Sequence, residues 1–140
     1  MPAIISYRKF ISKEITRTLR LPEDADHHLL GTELATLADG TTYVSLPDGA
    51  VLPADQPAEI VASIVNPATL TATQISDIKA ASPHVRFINQ QVADQIAAHY
   101  TMTDEIKLIR TAPSPEHSLY NEHAEACRAW GRGEKAKLGL

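Results

Sequence analysis

The chain has 140 residues and a formal net charge of −4, and 44% of its residues are hydrophobic. That length sets one domain, or one domain with a dependent lobe, as the expectation. The apolar fraction and modest charge exclude a globally disordered chain, and no apolar run approaches the roughly 20 residues of a membrane-spanning helix. The start, MPAIISYRKF, places Arg and Lys where a secretory signal would need an apolar stretch, so no signal peptide is expected. A single cysteine, Cys127, excludes an internal disulfide framework and any multi-cysteine zinc site.

In chain order, residues 3–12 are open between two readings. Ile4, Tyr7, Ile11, Ile15 and Leu19 recur at near-helical spacing, whereas the β-branched run from Glu14 to Leu21 favours a strand over 14–21. Pro22–Asp26 reads as a solvated loop. Two alternating segments, Glu33–Leu37 and Thr41–Leu46, flank Ala38-Asp39-Gly40 and predict a β-hairpin, because its tight turn needs a residue tolerant of positive φ. Pro47-Asp48-Gly49 signals a second turn, after which Ala50–Leu52 is expected as a brief third strand. The run Glu59–Val65, set among Pro53, Pro57 and Pro67, is too short for periodicity to separate strand from helix.

From residue 71 the pattern is helical. Thr71 is placed to cap a helix ending near Ala81, and Ser82-Pro83 is a second start signal, with Pro at the first helical position where a missing N–H costs nothing. The helix that follows, to about His99, carries Val85, Ile88, Val92 and Ile96 on one face. Thr103 is expected to cap a short helix through Ile109, and Ser114-Pro115 opens a last helix running to about Leu138. The expected fold is thus α+β: a small antiparallel β-hairpin region over 1–58, a connector over 59–70, and three to four helices over 71–140.

Chemistry-bearing residues do not form a recognisable set. Adjacent His27 and His28 diverge on either a strand or a helix, and His117 and His123 share no helical face. His123 lies one turn before Cys127, but a nucleophile also needs an oriented base and an oxyanion site, and Cys127 falls on a face with Tyr120, Ala124 and Gly131 that suits a buried small side chain. No glycine-rich phosphate loop and no Gly-x-Ser-x-Gly elbow occurs. Catalytic residues, a metal and a cofactor are therefore not expected. Basic residues gather at both ends, Arg8, Lys9, Lys13, Arg17 and Arg20, then Arg128, Arg132, Lys135 and Lys137. Convergence of these would suit nucleic acid, while cations near a helix C-terminus also complement its dipole. Trp130 is expected as a core anchor of the last helix rather than an interface residue. The candidate core or interface set is Val85, Ile88, Val92, Ile96, Tyr120 and Trp130.

The segment from Gln90 to Tyr100, then Asp104–Arg110, then Tyr120-Asn121 and Glu125–Leu140, resembles the C-terminal part of small phage and prophage tail-region proteins. The hairpin Thr36–Gly49 with Gln56–Ile60 is similar to the same group, so the resemblance spans about residues 31 to 140. It implies a non-enzymatic subunit of the tail, a structural or adaptor protein at the tail fibre or baseplate. Its expected partners are other tail or fibre proteins in an oligomeric assembly, with no membrane. Its expected place is the virion tail, and the host cytoplasm during assembly. A tail-fibre assembly chaperone and a small DNA-binding regulator using the basic N-terminal stretch are the alternatives.

Overall fold

In the computed structural model, which describes residues 2–140, the hairpin centres a three-stranded antiparallel sheet. Strand β1 (Ala3–Arg8), β2 (Phe10–Ile11), β3 (Thr16–Arg17), β4 (Thr32–Thr36) and β5 (Thr41–Leu46) are followed by α1 (Ala58–Val61), α2 (Ala72–Ala81), α3 (Pro83–Ala97), α4 (Met102–Arg110) and α5 (Pro115–Lys137). The architecture is α+β, an N-terminal antiparallel sheet followed by five helices. Among the described residues no helix is long and apolar enough to cross a membrane.

The hairpin β4–β5 forms where the Asp39-Gly40 turn places it, with Gly40 at φ +86°. Residues 3–12 resolve to strand, not helix: β1 pairs with β5 in the register Ala3 opposite Leu46 through Arg8 opposite Thr41, giving the order β1-β5-β4. Of the strand expected over 14–21, only Thr16–Arg17 pairs, and with β2 rather than with the hairpin. Ala50–Leu52 forms no strand; Ala50 and Leu52 instead pack half-buried against the sheet.

Strand β5 lies in the middle of the sheet, and apolar clusters cover both of its faces. On one face Ile5, Tyr7, Val44 and Leu46 meet Leu19 and Ile60 of α1. On the other, Ile4, Leu34, Ala35 and Tyr43 meet Ile78 of α2, with Leu138 and Leu140 packed against them. Successive strand residues point to opposite faces, which is why neighbours Ile4 and Ile5, or Tyr43 and Val44, divide between the clusters. Burial of both faces removes the alternation of polar and apolar residues expected of a one-sided sheet. Leu34 and Ala35 break this rule by entering the same cluster, and the cause is local: the β4 register shifts between Glu33 and Ala35, a bulge that inserts one extra residue. Buried Thr42 keeps its hydroxyl satisfied, 2.9 Å from that of Thr36 across the pair.

The chain divides into two compact units, residues 1–84 with 137–140, and residues 85–136. The sequence placed the division in a connector at 59–70. It falls later because α2 contributes Ile78 to the sheet's core and so belongs with the strands. The connector itself is not featureless: it holds most of α1 and a bridge from Val65 to Ser6.

In the second unit, α4 is capped two residues earlier than expected. Thr101, not Thr103, is the N-cap: its hydroxyl accepts the Asp104 N–H at 3.1 Å while the Asp104 carboxylate accepts the Thr101 N–H at 3.0 Å. Two otherwise unpaired donors are satisfied at once, an advantage Thr103 lacks. Thr71 and Gln74 make the same reciprocal arrangement at α2. At α5, Ser114 accepts the His117 N–H at 3.0 Å, as the Ser-Pro start predicts.

Candidate functional site

In the sheet unit a cleft of about 350 Å3 opens beside Tyr7, Leu19, Leu21, Leu29 and Val44, with Arg20, Glu23 and Glu33 at its edge. Its charged groups are already engaged: Glu33 pairs with Lys9, Arg20 with Asp55, and Glu23 lies 3.1 Å from His27 Nδ1. Burial pushes the Tyr7 phenol above its ordinary range.

The basic N-terminal stretch is likewise spent within this unit. Besides the Lys9 and Arg20 pairs, Arg17 stands 3.7 Å from Glu59, and the Arg8 guanidinium donates to the Asp39 carbonyl. Three of its five cations, Lys9, Arg17 and Arg20, therefore lie beside carboxylates, and Arg8 is held by a carbonyl. The C-terminal cluster behaves differently, because Arg128, Arg132 and Lys135 border a notch of about 250 Å3 over Gly131 and Val92, with Arg132 also paired to Glu125.

Asp24, Asp26 and His28 bring three potential ligand atoms within 4.8 Å of one another on the exposed loop. The convergence comes from the turn itself. Asp24 Oδ1 accepts the N–H groups of both Asp26 and His28 at 2.9 Å, so the side chain shapes the loop.

Cys127 is buried on α5 with Tyr120, Ala124 and Gly131, the face its spacing predicts. Its Sγ lies 3.6 Å from His123 Nε2. The same nitrogen lies 3.2 Å from the Gln95 carbonyl oxygen, which can only accept, so Nε2 carries a proton there and is not free to take one from the thiol. His99 and Tyr100 close around this histidine, with the His99 and His123 rings 4.4 Å apart edge to face and Tyr100 set 5.0 Å from Tyr120 in the same manner. Where titration is clearly shifted, the direction is away from neutrality: Tyr7, Tyr43 and Tyr120 are raised by burial, while Asp39 and Asp104 are lowered by backbone N–H donors and Glu125 by Arg132. None of these groups is tuned for proton transfer near pH 7.

Of the sequence-derived candidates, Val85, Ile88 and Tyr120 are buried, Val92 and Ile96 are half-buried, and Trp130 is 37% exposed. Trp130 is thus not the core anchor expected of it; the buried face of α5 runs through Tyr120, Ala124, Cys127 and Gly131, and Trp130 falls about 90° to one side at 100° per residue.

The residues that sequence reasoning missed lie on α4. Met102, Ile106 and Ile109 stand 77%, 48% and 63% exposed, and no residue of this helix is buried. Positions i, i+4 and i+7 form one stripe, so α4 is amphipathic with its apolar face outward. The inward-leaning side holds Asp104, Glu105 and Leu108, each partly covered. Periodicity announced the stripe but not the direction it faces.

Comparisons with protein families, with curated proteins and with solved structures give no match.

Proposed function

We propose that the chain is a non-enzymatic structural or adaptor subunit of a phage tail, working through protein contacts at the tail fibre or baseplate. The observation that carries a binding role is the apolar surface of the helical unit, where Phe87, Met102, Ile109 and Leu119 are all more than half exposed. Met102 and Ile109 share one face of α4 with Ile106, and a contiguous exposed apolar stripe suits a contact surface better than single scattered side chains do. The tail assignment itself rests on the resemblance of residues 31–140 to tail-region proteins. The internal ion pairs of Lys9, Arg17 and Arg20 favour a protein partner over nucleic acid, since cations already neutralised release fewer counterions on binding a phosphate backbone.

Mass spectrometry of purified particles from the producing cell tests the reading. Stoichiometric presence beside tail proteins is expected. Absence from particles overturns it, and association with free fibre protein alone would make the chain an assembly chaperone instead.

A further inference from the structure

We infer that the notch between α3 and α5 is a binding site for a phosphate monoester. The inference stands apart from the tail reading and does not rest on it. Three cations of α5, Arg128, Arg132 and Lys135, line the notch with Asn89 of α3, over a floor of Val92 and Gly131.

Their spacing explains the convergence. Positions i, i+4 and i+7 fall within about 60° of one another at 100° per residue, so the three heads rise from one side of α5. Gly131 has no side chain to hold the helices apart, and α5 meets Val92 of α3 directly. That close crossing sets Asn89, one turn before Val92, in the opposite wall of the notch, where its amide can donate to the same ligand.

The helix dipole does not account for the cluster. It favours cations in the last turn of α5, where Lys135 and Lys137 stand, but Arg128 lies more than two turns before the helix ends. Nor do neighbours neutralise the charge. Arg132 pairs with Glu125, and Arg128 donates to the Tyr120 hydroxyl. Lys135 is half-buried and among the described residues enters no ion pair. Three cations against one carboxylate leave the notch with a net charge of +2.

That balance selects the ligand. A phosphate monoester carries about −1.5 to −2 at pH 7, whereas a diester or a lone carboxylate carries a single negative charge. Guanidinium forks also match phosphate oxygens in pairs. At about 250 Å3 the notch is smaller than the roughly 300–1,000 Å3 of pockets that enclose a whole small molecule. It therefore holds the phosphate and leaves the rest of the ligand in water. A nucleic-acid backbone fits less well, because its phosphates are diesters and binding draws on many of them at once.

The test titrates the isotope-labelled full chain with phenyl phosphate at constant ionic strength and follows amide shifts by NMR. Saturable shifts are expected at Asn89, Arg128, Gly131, Arg132 and Lys135. Lys135→Gln and Arg128→Gln should each weaken binding about two- to fivefold, the worth of one solvent-exposed charge pair. Glu125→Gln removes the carboxylate paired at the notch and should tighten binding by a similar factor, a gain that a damaged fold cannot produce. Lys107→Gln removes a cation outside the notch and should change nothing. Binding should weaken between about pH 7.5 and about pH 5.5, as the monoester regains its second proton near pH 6. Among the described residues no histidine lines the notch, so this dependence is the ligand's own.

Absence of saturable shifts at these residues overturns the inference. Equal binding of dimethyl phosphate overturns it too, since the notch would then be a general anion surface. So does a loss in Lys107→Gln as large as that in Lys135→Gln. Saturation by a polyglutamate peptide but not by phenyl phosphate assigns the notch to an acidic protein segment and overturns it as well.

Discussion

A Cβ placed on Gly131 would stand 2.6 Å from Val92 Cγ2, so α5 meets the side chain of Val92 on α3 closely enough that only glycine fits at that point. Gly133, one half-turn further on, would meet nothing within 4 Å. The two glycines therefore predict opposite outcomes for the same substitution. Gly131→Ala should lose about 1–3 kcal/mol through overpacking against a branched, stiff neighbour. Gly133→Ala should gain about 0.5–1 kcal/mol, since alanine is the better helix former and nothing obstructs it. Thermal melts followed by circular dichroism check both, and a gain for Gly131→Ala would refute the close approach.

Leu138 and Leu140 return the chain to the sheet, packing against the cluster of Ile4, Leu34, Ala35, Tyr43 and Ile78. The double variant Leu138→Ala, Leu140→Ala should cost about 2–4 kcal/mol, less than two fully buried leucines because both are only partly covered. Hydrogen exchange should report faster opening of β4 and β5, at positions some hundred residues away in sequence. Unchanged protection there would show that the tail contributes nothing to the sheet.

Acid should release α4 at its first turn. Hydrogen bonds from Thr101 hold the Asp104 carboxyl below its ordinary range. A lowered folded value means the carboxylate stabilises the cap above the unfolded value, about pH 3.9, and that this support is lost as pH falls through the lower, folded value. Protection of the Thr101 amide, taken against its intrinsic exchange rate at each pH, should therefore fall on acidification below about pH 4. Asp104→Asn keeps an acceptor oxygen without the titration, so Thr101 protection in that variant should stay level over the same range.

Burial falls along α3, from 1% exposure at Val85 and 8% at Ile88 to half-buried Val92 and Ile96. The spacing alone makes these four positions equivalent, and it predicts severe damage from an acid at Val92 or Ile96. With the gradient known, Val85→Asp should cost more than about 3 kcal/mol by burying an unpaired charge, whereas Ile96→Asp should cost about 1–2 kcal/mol because its carboxylate can reach water. Chemical denaturation midpoints for the two variants test the order, and equal losses would contradict it.

What could be read from the sequence was local. Asp39-Gly40 between two alternating runs specifies β4–β5, and Thr71, Ser82 and Ser114 announce three helix starts through the hydrogen bonds their hydroxyls can accept. What could not be read depends on long-range contacts. Ile4 and Tyr7 look nearly helical in spacing because they serve opposite faces of a sheet whose central partner, β5, lies some forty residues on. The site shows the same limit: Met102, Ile106 and Ile109 have the period of a core-facing stripe, and nothing in that period tells inward from outward. Trp130 failed as a core residue for a related reason, since size marks a side chain worth burying but not whether its own chain does the burying.

The return of Leu138 and Leu140 to the first unit also sets an order on synthesis. Leu34 leaves the ribosome about a hundred residues before its packing neighbours at the far end of α5, which at the usual elongation rates of about 5–20 residues per second is an interval of about 5–20 s. Throughout it, the Ile4, Leu34 and Tyr43 face of the nascent hairpin can be only partly covered. Full covering of that face is therefore a late event, and the growing chain passes through a stage in which one of its two core faces is open to capture by whatever holds nascent chains in the cell.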